Sequence, residues 1–258
     1  MELCREAKGV CYPNQWFRVV NPFCLGSSNH QVDTRTKQCK GWIYMLSSKD
    51  FENQLKLIPT FYLNYSFNPV EYGKGVYKGI SAYSELRERY PHLVPTEKEF
   101  VEKFLQKTIP LFPMERLMTD YDRYRLGLEA RAKRAYKSLV REEHAIIRMK
   151  ELYEPHGFKV LYDHDDDWQK GIDVTIQDLD NMREHYVHLF VDTPWSRQNL
   201  KHKEKRGNGR DFSTHVFLPF KKGEGKMVGD FELYDDKTLI GFMYKLRTDY
   251  KRKGKPIN

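Results

Sequence analysis

The sequence predicts an α+β or α/β fold: a mixed β-sheet flanked by helices, with a smaller N-terminal region ahead of it. Three observations predict this. A helical pattern rich in alanine, leucine, arginine and lysine, all good helix formers, runs from Met114 to about Glu154. Short apolar runs of strand length follow at Phe158–Tyr162, Gly171–Ile176 and Tyr186–Asp192. Further strand-like runs come at Thr214–Phe220 and Gly229–Tyr234, so strands continue after the helix to near the end of the chain.

Taken in order, residues 1–50 are rich in turn formers, with Pro13, Pro22 and Gly26, and a strand is expected at Gly41–Leu46. A second strand is expected over Thr60–Phe67, where aromatic and polar residues mix, ended by Asn68-Pro69. Thr96 can cap a helix and Glu99 can reach back to it, the spacing of a capping box. Phe100, Val101, Phe104 and Leu105 form that helix's apolar stripe, and Pro110 and Pro113 end it. A boundary is drawn there, giving an N-terminal aromatic-rich region at 1–113 and a second domain at 114–258. Gly127 is expected to divide the long helix, and Pro155-His156-Gly157 to stop it. Thr238–Tyr244 is a further apolar segment, and the tail after Tyr250 is basic.

The chain has 258 residues and a formal net charge of +8, a balance that favours polyanionic partners, nucleic acid above all. No apolar run approaches the ~18 residues a membrane span needs, and the first residues lack a signal peptide's apolar stretch. An intracellular, cytoplasmic protein is expected. Its four cysteines, Cys4, Cys11, Cys24 and Cys39, include no Cys-x-x-Cys pair. They read as half-buried thiols of a small subdomain, as ligands of a structural Zn2+, or as disulfide partners.

Acids in apolar surroundings are the main chemical signal. On a helix advancing about 100° per residue, Ala135, Tyr136, Leu139, Val140, Ile146 and Ile147 gather on one side. Glu143 falls at the centre of that side and Glu142 at its edge. A carboxylate at such a centre needs a cation, a buried donor or a metal, because burying it alone is costly. Asp173 interrupts the apolar run Gly171–Ile176, and Asp192 ends the run Tyr186–Asp192. Aspartate is depleted in strands, so both call for a reason. Three such acids could share Mg2+ or Mn2+, hard cations suited to oxygen ligands, and the chemistry would be phosphodiester hydrolysis. The acidic turn Asp163–Asp167 is a rival metal site or a solvated hairpin turn; His188 is a ligand or a core histidine bonded to a neighbour.

This order of elements, over roughly residues 135–220, resembles the PD-(D/E)xK nuclease superfamily. The resemblance implies a restriction-endonuclease-like core: a helix with an acid, a hairpin strand bearing Asp, and a strand bearing Asp or Glu followed two residues later by Lys. It maps the helix acid to Glu143, the hairpin acid to Asp173 and the second strand acid to Asp192. It also implies that all three hold Mg2+. Where the family has its lysine this chain has Pro194. The lysine's role in activating water passes to Arg197 or Lys201, with Lys170 a further candidate, or the enzyme is inactive.

Behind Asp192 comes a basic run, Arg197, Lys201, Lys203, Lys205, Arg206 and Arg210, suited to a phosphate backbone. Arg131, Lys133, Arg134, Lys137 and Arg141 line the long helix and could track phosphates too. The first expectation is thus a metal-dependent DNA endonuclease of restriction or mobile-element type, acting as a homodimer if it cuts both strands, with the N-terminal region recognising the target. The alternatives are a catalytically inactive nucleic-acid-binding protein on the same fold, and an interaction or phage accessory protein whose acids form a buried salt-bridge network.

Overall fold

One long helix, α5 (Met114–Tyr153), is the spine on which the rest is assembled. The computed structural model describes residues 46–71, 79–112, 114–163, 172–194, 196–198 and 214–253. The chain divides after Lys37, and all described residues lie in the second unit. On one side of α5 pack α1 (Ser48–Leu55), α2 (Asn68–Glu71), α3 (Gly79–Arg89) and α4 (Glu97–Thr108). On the other lies a four-stranded sheet of β1 (Phe158–Leu161), β2 (Val174–Asp178), β3 (Arg183–Val191) and β4 (His215–Phe220). A hairpin, β5 (Lys226–Val228) and β6 (Phe231–Leu233), leads into the last helix, α6 (Asp236–Lys253). The class is α+β.

The sheet is mixed, in the order β1-β2-β3-β4. β1 and β2 are antiparallel, as are β2 and β3, whereas β3 and β4 are parallel. A parallel pair needs a crossover, and residues 193–214 supply it. Register stacks Val160, Ile176 and Val174, then Val187 and Leu189, then Leu218 and Phe220, on one buried face. This is the period-2 pattern of a half-covered sheet. α5 and α6 cover it. Tyr153 of α5 donates its hydroxyl to Leu239 O of α6 at 2.6 Å, and the Arg247 guanidinium of α6 lies over the Phe158 ring. The opposite face carries Tyr186, His188 and Phe190 of β3 beside His215 and Phe217 of β4.

Helix ends follow the expected chemistry. Thr96 and Glu99 form the capping box that starts α4, and a short 3-10 turn holding Pro110 ends it. Gly157, at φ +80°, closes the turn after α5 in a left-handed conformation that glycine adopts without steric cost. Residues on both sides of position 113, the expected boundary, contribute to one buried core, from Phe51 and Phe104 to Ile176 and Leu239.

Two expectations about elements are corrected. Gly127 does not divide α5; the helix departs from regular geometry at Asp120 (φ −152°, ψ 38°) instead. Gly127 serves packing, since a Cβ there would lie 3.0 Å from Phe67 Cβ and 3.2 Å from Val70 Cγ2. Its absence lets α2 approach the spine. Thr60–Phe67 is not a strand. Side chains hold its backbone instead: Thr60 N donates to Asp230 Oδ2, Phe61 N to Glu97 Oε2, and Arg134 Nη1 to Tyr65 O. Its aromatics Phe61 and Tyr62 are exposed, so no sheet face draws it in. The strand expected at Gly41–Leu46 lies, Leu46 apart, outside the described residues. Among the described residues no helix is long and apolar enough to cross a membrane.

Candidate active site

Glu143 is buried, as its place on the apolar face requires, but it faces α3 and not the sheet. Arg87 Nε donates to Glu143 Oε1 at 2.8 Å and Tyr83 Oη to Glu143 Oε2 at 2.7 Å. Burial pushes the carboxyl up from its usual range, while Arg87 and Tyr83 pull the other way. The cation that a buried carboxylate needs is therefore a guanidinium from another helix.

Asp173 stands just before β2. Its N–H donates to Val187 O at 3.1 Å, and its Oδ2 accepts from Leu189 N at 2.5 Å. The side chain thus continues the ladder where the strand's own backbone leaves it. Asp192 stands just after β3, its N–H bonded to Phe220 O at 2.7 Å. Its carboxylate is held by both Arg197 Nε (2.5 Å) and Nη2 (2.8 Å). Hydrogen bonding to Arg197 holds the carboxyl below its usual range.

The shared three-acid site is thereby corrected. Asp173 lies one step before the Val174–Val187 pair, level with His188. Asp192 is four residues farther along β3, roughly 13 Å at a strand's rise per residue. Ligands of one Mg2+ lie only about 2.1 Å from the ion, so the two aspartates do not share one. Among the described residues no group of three or more His, Cys, Asp or Glu could hold a metal ion. Arg197 is 64% exposed and serves Asp192. Lys170, Lys201, Lys203, Lys205, Arg206 and Arg210 lie outside the described residues, as do Cys4, Cys11, Cys24 and Cys39 and positions 164–167 of the acidic turn.

His188 is a buried histidine bonded to a neighbour: its Nε2 lies 2.8 Å from His215 Nδ1, and the rings stack. Arg141, expected on the outer side of the helix, is buried instead. Its guanidinium lies 4.0 Å from the Phe220 ring centroid, and its Nε donates to Glu232 O at 2.8 Å.

Two other acids act electrostatically on Tyr234, the residue after β6. This buried tyrosine donates to Leu218 O of β4 at 3.0 Å. Burial raises its hydroxyl well above the usual range; the charges of Glu142 on α5 and Asp173 before β2 raise it further, against the pull of Arg141. Glu142 also accepts from Ser138 Oγ at 3.0 Å. Both carboxylates are partly exposed. Two hard oxygen donors of this kind fit Mg2+, which takes one or two carboxylates and completes its shell with water and phosphate. Nothing in the sequence singles out Tyr234. Glu142 stands one residue before Glu143, at the edge of the helix's apolar side.

No protein-family model, curated protein or solved structure matches the chain.

Proposed function

We propose that the chain is a metal-dependent phosphodiesterase acting on DNA, with a restriction-endonuclease-like core whose acids are Glu142 and Asp173. The observation that carries this reading is that Asp173 stands half-buried where β2 begins, its carboxylate fixed by Leu189 N, while its charge and that of Glu142 both raise the Tyr234 hydroxyl. A long helix followed by the antiparallel strands β2 and β3, with Asp173 before the one and Asp192 after the other, agrees with the order that the sequence resemblance implies, which supports the reading. A divalent cation held by the two acids would supply positive charge opposite the scissile phosphate. Asp173 is oriented for this by Leu189 N, and Glu142 by Ser138. Tyr234 keeps its proton and fixes the ladder between the acids and β4; it is a positioning residue. The crossover after Asp192 carries the basic run that would hold the phosphate backbone.

Incubating supercoiled plasmid with the protein tests the proposal. Nicking or linearisation in Mg2+ or Mn2+, stopped by EDTA, is the expected result; intact plasmid under all conditions contradicts it. The Asp192–Arg197 ion pair favours a second reading, a nucleic-acid-binding protein without catalysis, because it occupies the acid that the resemblance makes a ligand. DNA retention with steep salt dependence and no cleavage would establish that one.

A further inference from the structure

A cleft of about 260 Å³ opens where β4 finishes. Phe220 and Tyr234 wall it, meeting edge to face with centroids 5.0 Å apart. Lys221 and Glu224 come from the turn that follows β4, and Asp235 and Thr238 from the start of α6. We infer that this cleft is a subsite for a single nucleotide of the bound strand, with the base inside it and a phosphate at Lys221. The inference rests on the nucleic-acid reading above and adds to it a place for one base.

Size, position and chemistry agree on that occupant. Drug-sized ligands need pockets of roughly 300–1,000 Å³, so this cleft suits a smaller planar group such as one base. It lies at the carboxyl end of β4, the strand parallel to β3, and strand carboxyl ends are where open sheets commonly bind ligands. Tyr234 lines it from the residue after β6 and is tied to β4 by its bond to Leu218 O. Lys221 is 55% exposed; its ammonium lies 3.5 Å from Glu224 Oε2 and, on that exposed side, can also meet phosphate at the rim. Asp235 accepts from Thr238 N at 2.8 Å, one bond of the several a carboxylate can accept. Carboxylates at Glu224 and Asp235 accept hydrogen bonds from amino groups, which cytosine, adenine and guanine carry and thymine lacks.

Calorimetric titration of the full chain with dCMP, dAMP, dGMP and TMP tests the inference. The three amino-bearing nucleotides should bind about fivefold or more tighter than TMP. Lys221→Ala should weaken all four by about fivefold or more. Asp235→Asn keeps a good helix cap and should lessen the discrimination against TMP. Lys222→Ala, exposed in the same turn but outside the cleft, should bind as wild type does. Absence of binding, equal binding of all four by the wild type, or an unchanged Lys221→Ala overturns the inference. Plasmid cleavage without mononucleotide binding overturns the cleft and leaves the hydrolytic reading standing. Mononucleotide binding with this pattern and no cleavage supports the cleft and overturns hydrolysis.

Discussion

Arg87 and Glu143 form an ion pair 2.8 Å long whose side chains are 0% and 3% exposed. It ties α3 to the spine, and Tyr83 occupies the second carboxylate oxygen. Removing one member of such a pair strands the other charge in the core. Arg87→Ala should therefore cost about 3–5 kcal/mol of stability, read from urea unfolding. Replacing both members with apolar residues, Arg87→Met with Glu143→Leu, should cost less than the single change. A single variant as stable as wild type would contradict this assignment.

His144, one residue on, sets an acid limit on stability. It is 1% exposed, and its Nε2 lies 3.0 Å from Glu52 Oε1, which Lys226 also holds. Burial pushes the imidazole down from 6.5, despite the pull of Glu52. Burial also raises the Glu52 carboxyl, but Lys226 and His144 outweigh it and leave it below 4.5. In both groups the unfolded chain binds protons more readily. Stability is then full above the ordinary histidine value and falls as pH drops below it, with Glu52 adding to the loss below its own ordinary value. Urea midpoints near pH 7.5 and about pH 5.5 should differ in that direction, and His144→Gln should flatten the difference. A midpoint that rises on acidification would refute the assignment.

The capping box of α4 offers a local test. Thr96 N and Oγ1 both donate to Glu99 Oε2 at 2.8 Å, and Glu99 N returns to Thr96 Oγ1. Thr96→Ala should lower stability by about 1 kcal/mol without affecting DNA cleavage. Loss of cleavage at unchanged stability would give this residue a different role.

Tyr234 should matter through position. Tyr234→Phe removes the donor to the buried Leu218 O, at a cost of roughly 1–3 kcal/mol. Cleavage should fall without a change in its pH profile, since the phenol keeps its proton. A shifted pH profile would make it a proton carrier instead.

What the sequence made legible was whatever one strand or helix face decides locally. The capping box at Thr96, the stop at Gly157 and the apolar faces of β2 and β3 all depend on near neighbours in the chain, and all form. The burial of Glu143 was legible from helical spacing; its partner was not. Arg87 comes from a helix 56 positions earlier, and one helix's periodicity carries no record of which element packs against it. Asp192 was legible as a strand-end acid and Asp173 as an acid within a strand, but the register that sets them about four residues apart along β3 arises only on pairing. The Thr60–Phe67 segment has strand composition and no strand beside it to complete a ladder.

Under the proposed function, Asp173 and Glu142, not Asp192, carry phosphodiester cleavage. Asp173→Asn tests it most directly, because asparagine can still accept the bond from Leu189 N and preserve the strand end. Plasmid cleavage in Mg2+ should fall at least about a hundredfold in Asp173→Asn and Glu142→Gln, and stay within about fivefold of wild type in Asp192→Asn. An Asp173→Asn protein that cleaves as wild type does would contradict the account.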